Sequence, residues 1–331
     1  MFEHTGLEHG GRLARAARTY GIALEDWLDL STGVSPYAWP VPAIPAQAWQ
    51  RLPDDEDGLI EIARDYYGNG FLLPVAGSQA AIQALPTLRA PCEVGVLAPG
   101  YAEHAHAWRK HSHRVTLAAA NLLFAEVERF DVVVLMHPNN PTGERFAPDD
   151  LLALQAALAA RGGWLVVDEA FIDATPDQSL CTHVGNEGLI VLRSVGKFFG
   201  MAGARAGFAF APPPLLRALH EQLGPWTLSG PTRYALKQAL SDDLWQAGAG
   251  DRLHRESQRL ARVLTRRGLP PTSGTAFFQW CCDARAEVLH RQLAQRGILT
   301  RLFDTPASLR FGLPGDDEAF ERLERALGET V

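Results

Sequence analysis

The stretch RSVGKFFGMAGARAGFAF, residues 193–210, decides the fold. It reads as a buried segment of small and apolar side chains, yet it carries Lys197 and, eight residues later, Arg205. Burial disfavours the charged form of a lysine, because the protein interior solvates charge poorly. The neutral amine that burial favours is a nucleophile. The stretch therefore predicts a lysine that forms a Schiff base with an aldehyde, beside an arginine that binds an anion.

Short apolar runs surround this stretch and alternate with helical segments. The runs are nearly continuous, as buried strands of a mostly parallel sheet are. They are VGVLAP (94–99), DVVVLMHP (131–138), WLVVDEAF (164–171), LIVLRS (189–194) and AGFAFA (206–211). The segment APDDLLALQAALAARG (147–162) begins with proline and acids and ends at glycine, which is typical of a helix. The alternation predicts an α/β fold.

The pattern changes after about residue 240. The segment DRLHRESQRLARVLTRRG (251–268) predicts a long charged helix, and the runs TAFFQWC and SLRFGL that follow it predict strands. We therefore predict a large domain over residues 28–240. A smaller α+β domain is predicted from residues 1–27 and 241–331, with the N-terminal residues forming an arm.

The composition argues against several classes of function. Of the 331 residues, 47% are hydrophobic and 21% are charged, and the net charge is −7. Nucleic acids and membrane surfaces attract a basic face, which this mixed and acidic chain does not offer. No apolar run has the length of a signal-peptide core or a membrane span. The four cysteines form no CxxC pair, so we expect neither a disulfide framework nor a zinc site, and we expect a cytoplasmic location.

The segment HAHAWRKHSH (104–113) contains four histidines. Metal-binding histidines usually occur with carboxylate or cysteine ligands at set spacings, and this segment shows no such pattern. We predict no metal site and expect most of these histidines to be solvated.

Polar residues follow the predicted strands at the points where the strands end. In doubly wound sheets, ligands bind at the carboxyl ends of the strands. The candidates are Tyr101, Asn140, Asp168, Ser194 and Lys197. Each alone has an ordinary explanation as a turn, a helix cap, a packing residue or a solvated loop residue. Their occurrence at successive strand ends predicts a single binding site.

These residues fit the chemistry of pyridoxal 5′-phosphate. Asp168, as a buried anion, needs a cationic partner, and a protonated pyridine nitrogen is one. Arg205 and Ser194, with the GSQ turn at 77–79 ahead of a predicted helix, form a cradle for a phosphate. The aldehyde of the same cofactor accounts for Lys197. The motifs GxxxxGK[ST], GxGxxG, HExxH and GxSxG, which indicate other chemistries, are absent from the sequence.

The motifs PNNPTG, DEAF and SVGKFFGMAGARAGF together resemble those of the aspartate-aminotransferase fold of pyridoxal-phosphate enzymes, fold type I. The resemblance covers about residues 4–315 and lies in the branch near the histidinol-phosphate aminotransferases. It implies a mostly parallel large domain and a smaller α+β domain. By resemblance Lys197 binds the cofactor covalently, Asp168 pairs with the ring nitrogen, and His104 supports Asp168. The other implied cofactor contacts are Asn140 at the 3′ oxygen, Tyr101 stacked on the ring, and Ser78, Gln79, Ser194 and Arg205 at the phosphate.

Within that branch, local features resemble the threonine-phosphate decarboxylases of cobalamin biosynthesis. They are HGGRL (9–13), WLDLSTGVSPYAWP (27–40), Phe171 in place of a tyrosine, and Leu52 where aminotransferases carry a tyrosine that reaches the partner subunit. The substrate contacts implied by the resemblance are His9, Gly10, Gly33, Asn140, Arg301 and Arg310. Arg310 matches the arginine whose planar fork binds the substrate carboxylate. A surface ion pair remains an alternative explanation for Arg301, and a mobile terminal position remains one for His9.

The reaction that the resemblance implies is decarboxylation of O-phospho-L-threonine to (R)-1-amino-2-propanol phosphate, with Lys197 returning a proton to Cα. The same scaffold supports transamination, so a histidinol-phosphate or related amino-acid aminotransferase remains the alternative. A non-catalytic binding protein with this fold is a third possibility. The family also implies a homodimer that binds a small phosphorylated amino acid. From the composition we expect no nucleic-acid or membrane partner.

Overall fold

The computed structural model describes residues 7–330. The first six residues of the predicted 1–27 segment and the last residue of the chain lie outside that range. Over the described residues the chain divides into two compact units. The smaller unit contains the chain up to Tyr37, Pro141–Gly143 and the chain from Asp251 onwards, and the larger unit contains Ala38–Asn140 and Glu144–Gly250. The predicted domain limits at 28 and 240 stay a prediction.

The bounds of the regular elements are as follows. The α-helices are α1 (Leu13–Tyr20), α2 (Ala46–Gln50), α3 (Leu59–Tyr67), α4 (Ser78–Ala84), α5 (Ala102–Lys110), α6 (Ala120–Ala125), α7 (Pro148–Ala159), α8 (Val195–Phe198), α9 (Pro213–Leu223), α10 (Gly230–Leu240), α11 (Asp243–Arg266), α12 (Ala286–Ala294) and α13 (Asp317–Gly328). The strands are β1 (Leu28–Asp29), β2 (Leu72–Val75), β3 (Glu93–Leu97), β4 (Arg114–Ala118), β5 (Val132–Met136), β6 (Trp164–Asp168), β7 (Leu189–Ser194), β8 (Gly207–Phe210), β9 (Ser273–Gly274), β10 (Phe278–Cys282), β11 (Ile298–Leu299), β12 (Arg301–Asp304) and β13 (Ala307–Gly312).

The larger unit is built on a sheet with the strand order β2-β8-β7-β6-β5-β3-β4. Neighbours from β7 to β4 run parallel, whereas β8 is antiparallel to both β2 and β7. This confirms the predicted α/β fold with a mostly parallel sheet. The apolar runs form its centre because strands covered on both faces need apolar side chains throughout, and every residue of β5 is buried.

Two strands of this sheet were not predicted from the sequence, and both lie at its edges. Strand β2 lies at one edge and contains Pro74, a residue that is tolerated at an edge because it cannot donate a ladder hydrogen bond. Strand β4 lies at the other edge and has only one buried residue, Ala118. Strand β4 is partly solvated and lacks a continuous apolar run, whereas β2 is apolar but has only four residues, one of them a proline.

Helices cover the sheet and bury its apolar side chains. Ile82 of α4, Trp108 of α5 and Leu219 of α9 belong to one buried cluster with Val134 and Ile190 of the sheet. Helix α7 begins with proline and two aspartates, which suit the first turn of a helix because its N–H groups lack partners there. This arrangement leaves the carboxyl ends of the parallel strands to position functional side chains.

The smaller unit contains an antiparallel sheet with the order β12-β13-β10-β9 and a parallel pair of β1 and β11. Ala16 of α1, Trp27 and Ala294 of α12 form a separate buried cluster. Within residues 7–330, none of the helices combines the length and the hydropathy that a bilayer crossing requires.

Candidate active site

The larger unit brings the predicted cofactor residues to one edge of its sheet. Asp168 is the last residue of β6 and Ser194 is the last residue of β7. Strands β3 and β5 lead at the same edge into the loops that carry Tyr101 and Asn140. The antiparallel strand β8 starts there as well, because Gly207 is paired with Ser194. The edge thus collects residues that are far apart along the chain, as parallel strands dictate.

Asp168 is buried and held through both carboxylate oxygens. Its Oδ2 lies 2.9 Å from Nε2 of His104, and its Oδ1 accepts a hydrogen bond from the backbone N–H of Ala170 at 3.1 Å. His104 is 3% exposed and Asp168 is 1% exposed, so solvent does not compete for this contact. A carboxylate oriented in this way suits a cationic ring nitrogen. The predicted support of Asp168 by His104 is present in the geometry.

The histidine-rich segment differs from the expectation of mostly solvated side chains. His104 and His113 are both buried. His104 contacts Asp168, while His113 contacts Cys92 and lies edge-on to the ring of Trp108, 4.6 Å away. The expectation was wrong for these two because helix α5 packs against the sheet, and buried histidines find partners there.

Tyr101 lies between the residues predicted to hold the cofactor ring and those predicted to hold its phosphate. Its hydroxyl donates to Oε1 of Gln79 at 3.2 Å, and its ring is edge-on to that of His104 at 5.9 Å. Burial raises the pKa of Tyr101, Asp168 adds to that rise, and Arg205 lowers it. The phenol is therefore neutral, and it feels the charges of both predicted ends of the cofactor.

Two glycines shape the predicted phosphate cradle. Gly77 has φ of 73°, and a Cβ added there would lie 2.8 Å from Nη2 of Arg205. A Cβ on Gly207 would lie 2.9 Å from the backbone nitrogen of Ser78, the first residue of α4. Glycine therefore allows Arg205 to approach Gly77 closely and strand β8 to approach the start of α4. A guanidinium group close to the amides at a helix start suits a phosphate.

Lys197 lies in α8, directly after the end of β7. Its side chain is half-buried, and Nζ lies 5.7 Å from the ring centroid of Phe171. Phe171 is 3% exposed. The phenylalanine that replaces the tyrosine of aminotransferases therefore lies beside the amine, so no hydroxyl is available from that position.

A buried charge network behind this edge was missed in the sequence analysis. Arg193 donates to Asp173 at 2.5 Å, to Ser179 at 3.0 Å and to Glu169 at 3.4 Å. Burial opposes the charge of Arg193, but Asp173, Cys181 and Glu169 together raise its pKa well above the ordinary value. The network joins the end of β7 to the segment after Asp168. The signal for it was an arginine inside the apolar run LIVLRS, since a buried charge requires partners.

The smaller unit brings two of the predicted substrate arginines together. Arg301 of β12 and Arg310 of β13 are directly paired across the antiparallel strands. Arg310 is 5% exposed, and its Nη2 donates to the backbone oxygen of Ser31 at 2.7 Å. Burial, and then the nearby charge of Arg301, lower the pKa of Arg310 to about 9. Two facing cations, one of them buried, indicate a site for anions.

Arg301 lines a cavity of about 530 Å³ in the same unit. The N-terminal residues Glu8, His9 and Gly10 form one wall of it. A Cβ on Gly10 would lie 2.3 Å from the backbone oxygen of Ser31, so a glycine is required for this approach. His9 thus lies in the same cavity as Arg301, and Arg301 forms an ion pair with Glu8. Of the remaining predicted contacts, Gly33 is buried after β1, and Asn140 lies in the larger unit.

Comparison with known proteins bears on this arrangement. Residues 59–327 match the family described as aminotransferase class I and II. The chain is 56% identical over 321 residues to threonine-phosphate decarboxylase of Pseudomonas aeruginosa, covering 97% of each chain. It is 43% identical over 330 residues to threonine-phosphate decarboxylase of a Sinorhizobium species, again covering 97% of each. The crystal structure of histidinol-phosphate aminotransferase from Sinorhizobium meliloti in complex with pyridoxal-5′-phosphate has a TM-score of 0.84 at 20% identity over 99% of both chains, which is a likeness of fold.

Proposed function

Because the chain belongs to the class I and II aminotransferase family, we propose that it is a pyridoxal-phosphate-dependent carboxy-lyase. Its reaction is the decarboxylation of O-phospho-L-threonine to (R)-1-amino-2-propanol phosphate, a step of cobalamin biosynthesis. The observation that carries this function is the 56% identity, over 97% of both chains, to a threonine-phosphate decarboxylase. The paired arginines of the smaller unit agree with it, since the substrate carries a carboxylate and a phosphoryl group.

The residues at the edge of the large sheet fit the cofactor. Asp168, oriented by His104, would hold the ring nitrogen in its protonated form, and Tyr101 would pack against the ring. Ser78, Gln79, Ser194 and Arg205 would hold the phosphate at the cradle that Gly77 leaves open, with Asn140 at the 3′ oxygen. When bound, pyridoxal phosphate supplies an electron sink for the pair that remains on Cα when a bond breaks.

Lys197 is the proposed proton donor of the reaction. Its Nζ would carry the cofactor in the resting enzyme and, once released by the substrate amine, return a proton to Cα after carbon dioxide leaves. Phe171 lies beside Nζ and offers no hydroxyl, so the lysine has no phenolic competitor from that position.

The substrate anions are assigned to two arginines. We assign the carboxylate to Arg310, whose buried guanidinium can bind it in bidentate fashion. We assign the phosphoryl group to Arg301, which lines the cavity together with His9 and Gly10. Gly33 follows the β1 segment whose Ser31 holds Arg310, so it would shape the same region.

The test measures carbon dioxide release from O-phospho-L-threonine in the absence of any keto acid. We expect stoichiometric release without an acceptor. Histidinol phosphate with 2-oxoglutarate serves as the parallel assay for the aminotransferase alternative. If carbon dioxide release requires 2-oxoglutarate, or if glutamate is formed, the aminotransferase assignment replaces this one. In Lys197→Ala the borohydride-trapped cofactor adduct should be lost, and a trap that persists there refutes the assignment of the lysine.

We further propose that the protein is a cytoplasmic homodimer. Three apolar residues near the start of the larger unit are exposed in the single chain: Val41 at 51%, Trp49 at 68% and Leu52 at 69%. Exposed apolar side chains that lie close together in the sequence favour burial against a second copy. The four cysteines carry free thiols, which suits a reducing compartment. Light scattering coupled to gel filtration measures the mass, and a monomer at micromolar concentration would contradict the dimer.

A further inference from the structure

Glu8 lies where three arginine side chains converge. Its Oε1 lies 3.2 Å from Nη1 of Arg15 and 3.6 Å from Nη1 of Arg12, and its Oε2 lies 3.9 Å from Nη1 of Arg301. Nη2 of Arg301 also donates to the backbone oxygen of Glu8 at 2.6 Å. All four residues line the same cavity. A single carboxylate therefore faces three guanidinium groups, one of which is the proposed phosphoryl-binding residue.

The carboxylate of Glu8 is held less firmly than the arginine it faces. The side chain of Glu8 is 62% exposed, whereas that of Arg301 is 19% exposed. Arg301 is fixed by strand β12 and lies over the ring of Phe303, 5.1 Å from its centroid. Exposed ion pairs are weak, because water screens the charges and the long side chains lose freedom. Glu8 can therefore leave while Arg301 stays in place.

The charged residues that line the cavity are mostly cationic. Besides Glu8, the acidic residue of the lining is Asp304, against the three arginines. Burial, followed by the charge of Arg301, lowers the pKa of His290, whose Nδ1 lies 2.8 Å from Oγ1 of Thr300. This histidine is thus neutral near pH 7 and adds no charge. Once the carboxylate of Glu8 moves away, the cationic groups outnumber the remaining acid, and an anion from solution can replace it.

We propose that Glu8 occupies the position of the substrate's phosphoryl group in the resting protein, and that Arg12 and Arg15 bind that group together with Arg301 after Glu8 is displaced. The inference rests on the proposed function, which supplies a phosphorylated substrate. A phosphoryl dianion has three acceptor oxygens and satisfies three guanidinium groups better than a carboxylate does. A hydroxyl group cannot displace Glu8, so the exchange selects phosphorylated amino acids over their parent compounds.

The experiment compares phosphate binding by the holoenzyme and by its Glu8→Gln variant. Inorganic phosphate is titrated by calorimetry into enzyme loaded with pyridoxal phosphate, so that the cofactor's own cradle is filled. We expect the dissociation constant to fall about three- to tenfold in Glu8→Gln, because the competing carboxylate is gone. It should rise by a similar factor in Arg15→Gln. Phosphate binding at the cavity should be lost in Arg301→Gln. The heat that is absent in this variant is therefore the heat of phosphate binding at the cavity.

A matched control removes the same charge elsewhere in the smaller unit. Glu321 of α13 forms an exposed ion pair with Arg325 at 3.8 Å, so Glu321→Gln changes the net charge without touching the cavity. Its phosphate affinity should stay within about twofold of the parent enzyme.

Unchanged or weaker phosphate binding in Glu8→Gln overturns the proposal, since Glu8 would then be inert or would only position Arg301. Unchanged binding in Arg15→Gln removes the assigned role of Arg12 and Arg15. Because calorimetry needs no turnover, a protein that behaves as expected here but releases no carbon dioxide refutes the proposed function and leaves the anion exchange standing.

Discussion

Arg301 and Arg310 are directly opposite each other across β12 and β13, so two guanidinium groups share one stretch of antiparallel ladder. Like charges in this relationship destabilise a sheet. The cost of placing these charges together is seen at Arg310, whose pKa is lowered to about 9 by burial and then by the charge of Arg301. An arrangement that weakens the fold is retained where it serves binding. We attribute it to a substrate whose two anionic groups neutralise the pair.

Replacing Arg310 should separate substrate binding from cofactor binding. In Arg310→Met the apolar stem is kept while the guanidinium that donates to Ser31 is lost. We expect kcat/KM for O-phospho-L-threonine to fall roughly 10²-fold, mainly through KM, because a buried charged hydrogen-bonding group is removed. The absorbance of the bound cofactor should be unchanged. Loss of the cofactor in this variant would mean that Arg310 serves a different anion.

Because Arg205 closely approaches Gly77, we expect a methyl group added at this glycine to weaken cofactor binding. In Gly77→Ala the new Cβ would lie 2.8 Å from Nη2 of Arg205, at a φ of 73°. We expect the dissociation constant of pyridoxal phosphate, measured by absorbance titration of the apoprotein, to rise at least about tenfold. The control is Gly162→Ala, because Gly162 has φ of 70° and an added Cβ there meets nothing within 4 Å. Both variants carry the backbone strain, so an equal effect in the two would contradict a role for the cradle.

His104 should act on the cofactor through Asp168. In His104→Leu the hydrogen bond to Oδ2 of Asp168, 2.9 Å long, is lost and the carboxylate keeps only its backbone donor. We expect kcat to fall about tenfold and the absorbance spectrum of the bound cofactor to change its pH dependence. His106 lies on the same helix and is exposed, so His106→Leu is the control and should leave both properties unchanged. A spectrum that keeps its pH dependence in His104→Leu would show that His104 serves packing alone.

Because His137 is buried, we expect the free energy of unfolding to decrease in acid. Burial lowers its pKa to about 4; the hydrogen bond to the backbone oxygen of Gln178 opposes this fall and the charge of Arg145 adds to it. In the folded protein Nδ1 accepts a hydrogen bond from the N–H of Phe146, which requires an unprotonated Nδ1. The neutral form is favoured in the folded state, so its contribution is fully present above the ordinary histidine pKa of about 6.5 and is lost as the pH falls towards 4. We expect this residue to account for about 2 kcal/mol of the fall in the free energy of unfolding between about pH 7 and pH 4.5.

Urea denaturation of the apoprotein at the two pH values measures this difference. The variant His137→Gln should be less stable at neutral pH but should lose less stability on acidification. The exposed residue His220 provides the control, and His220→Gln should keep the pH dependence of the parent protein. If His137→Gln and the parent lose the same free energy on acidification, another group controls the acid transition.

Much of the cofactor edge was predictable because each residue follows a strand with a strong local signal. The runs that became β5, β6 and β7 are apolar throughout, and parallel strands put their carboxyl ends at one edge. Asp168 and Ser194 could thus be placed together before the structure was known. The edge strands gave weaker signals, because β4 is partly solvated and β2 is a run of four residues that contains Pro74.

Other parts of the site depended on contacts without a local signal. The burial of His104 depends on which face of α5 packs against the sheet, and four histidines close together in sequence do not indicate that face. The partners of Arg193 lie 12 to 24 residues away in the sequence, so an arginine in an apolar run indicates that a network exists but not which residues form it. The convergence of Arg12 and Arg15 on Glu8 was also missed, since charged residues at helical spacing are usually solvated.

The sequence by itself determined the alternation of strands and helices, the polar residues at the strand ends and the chemistry of a lysine set among apolar neighbours. These follow from side-chain periodicity and from the cost of burying charge, which act over a few residues. Only the tertiary structure decided that Arg301 faces Arg310 and that Glu8 reaches Arg301 across 293 residues of chain. The pairing of β12 with β13 and the docking of the N-terminal segment are selected by the packing of the whole unit, because a shift of one residue would turn every side chain of a strand to the opposite face.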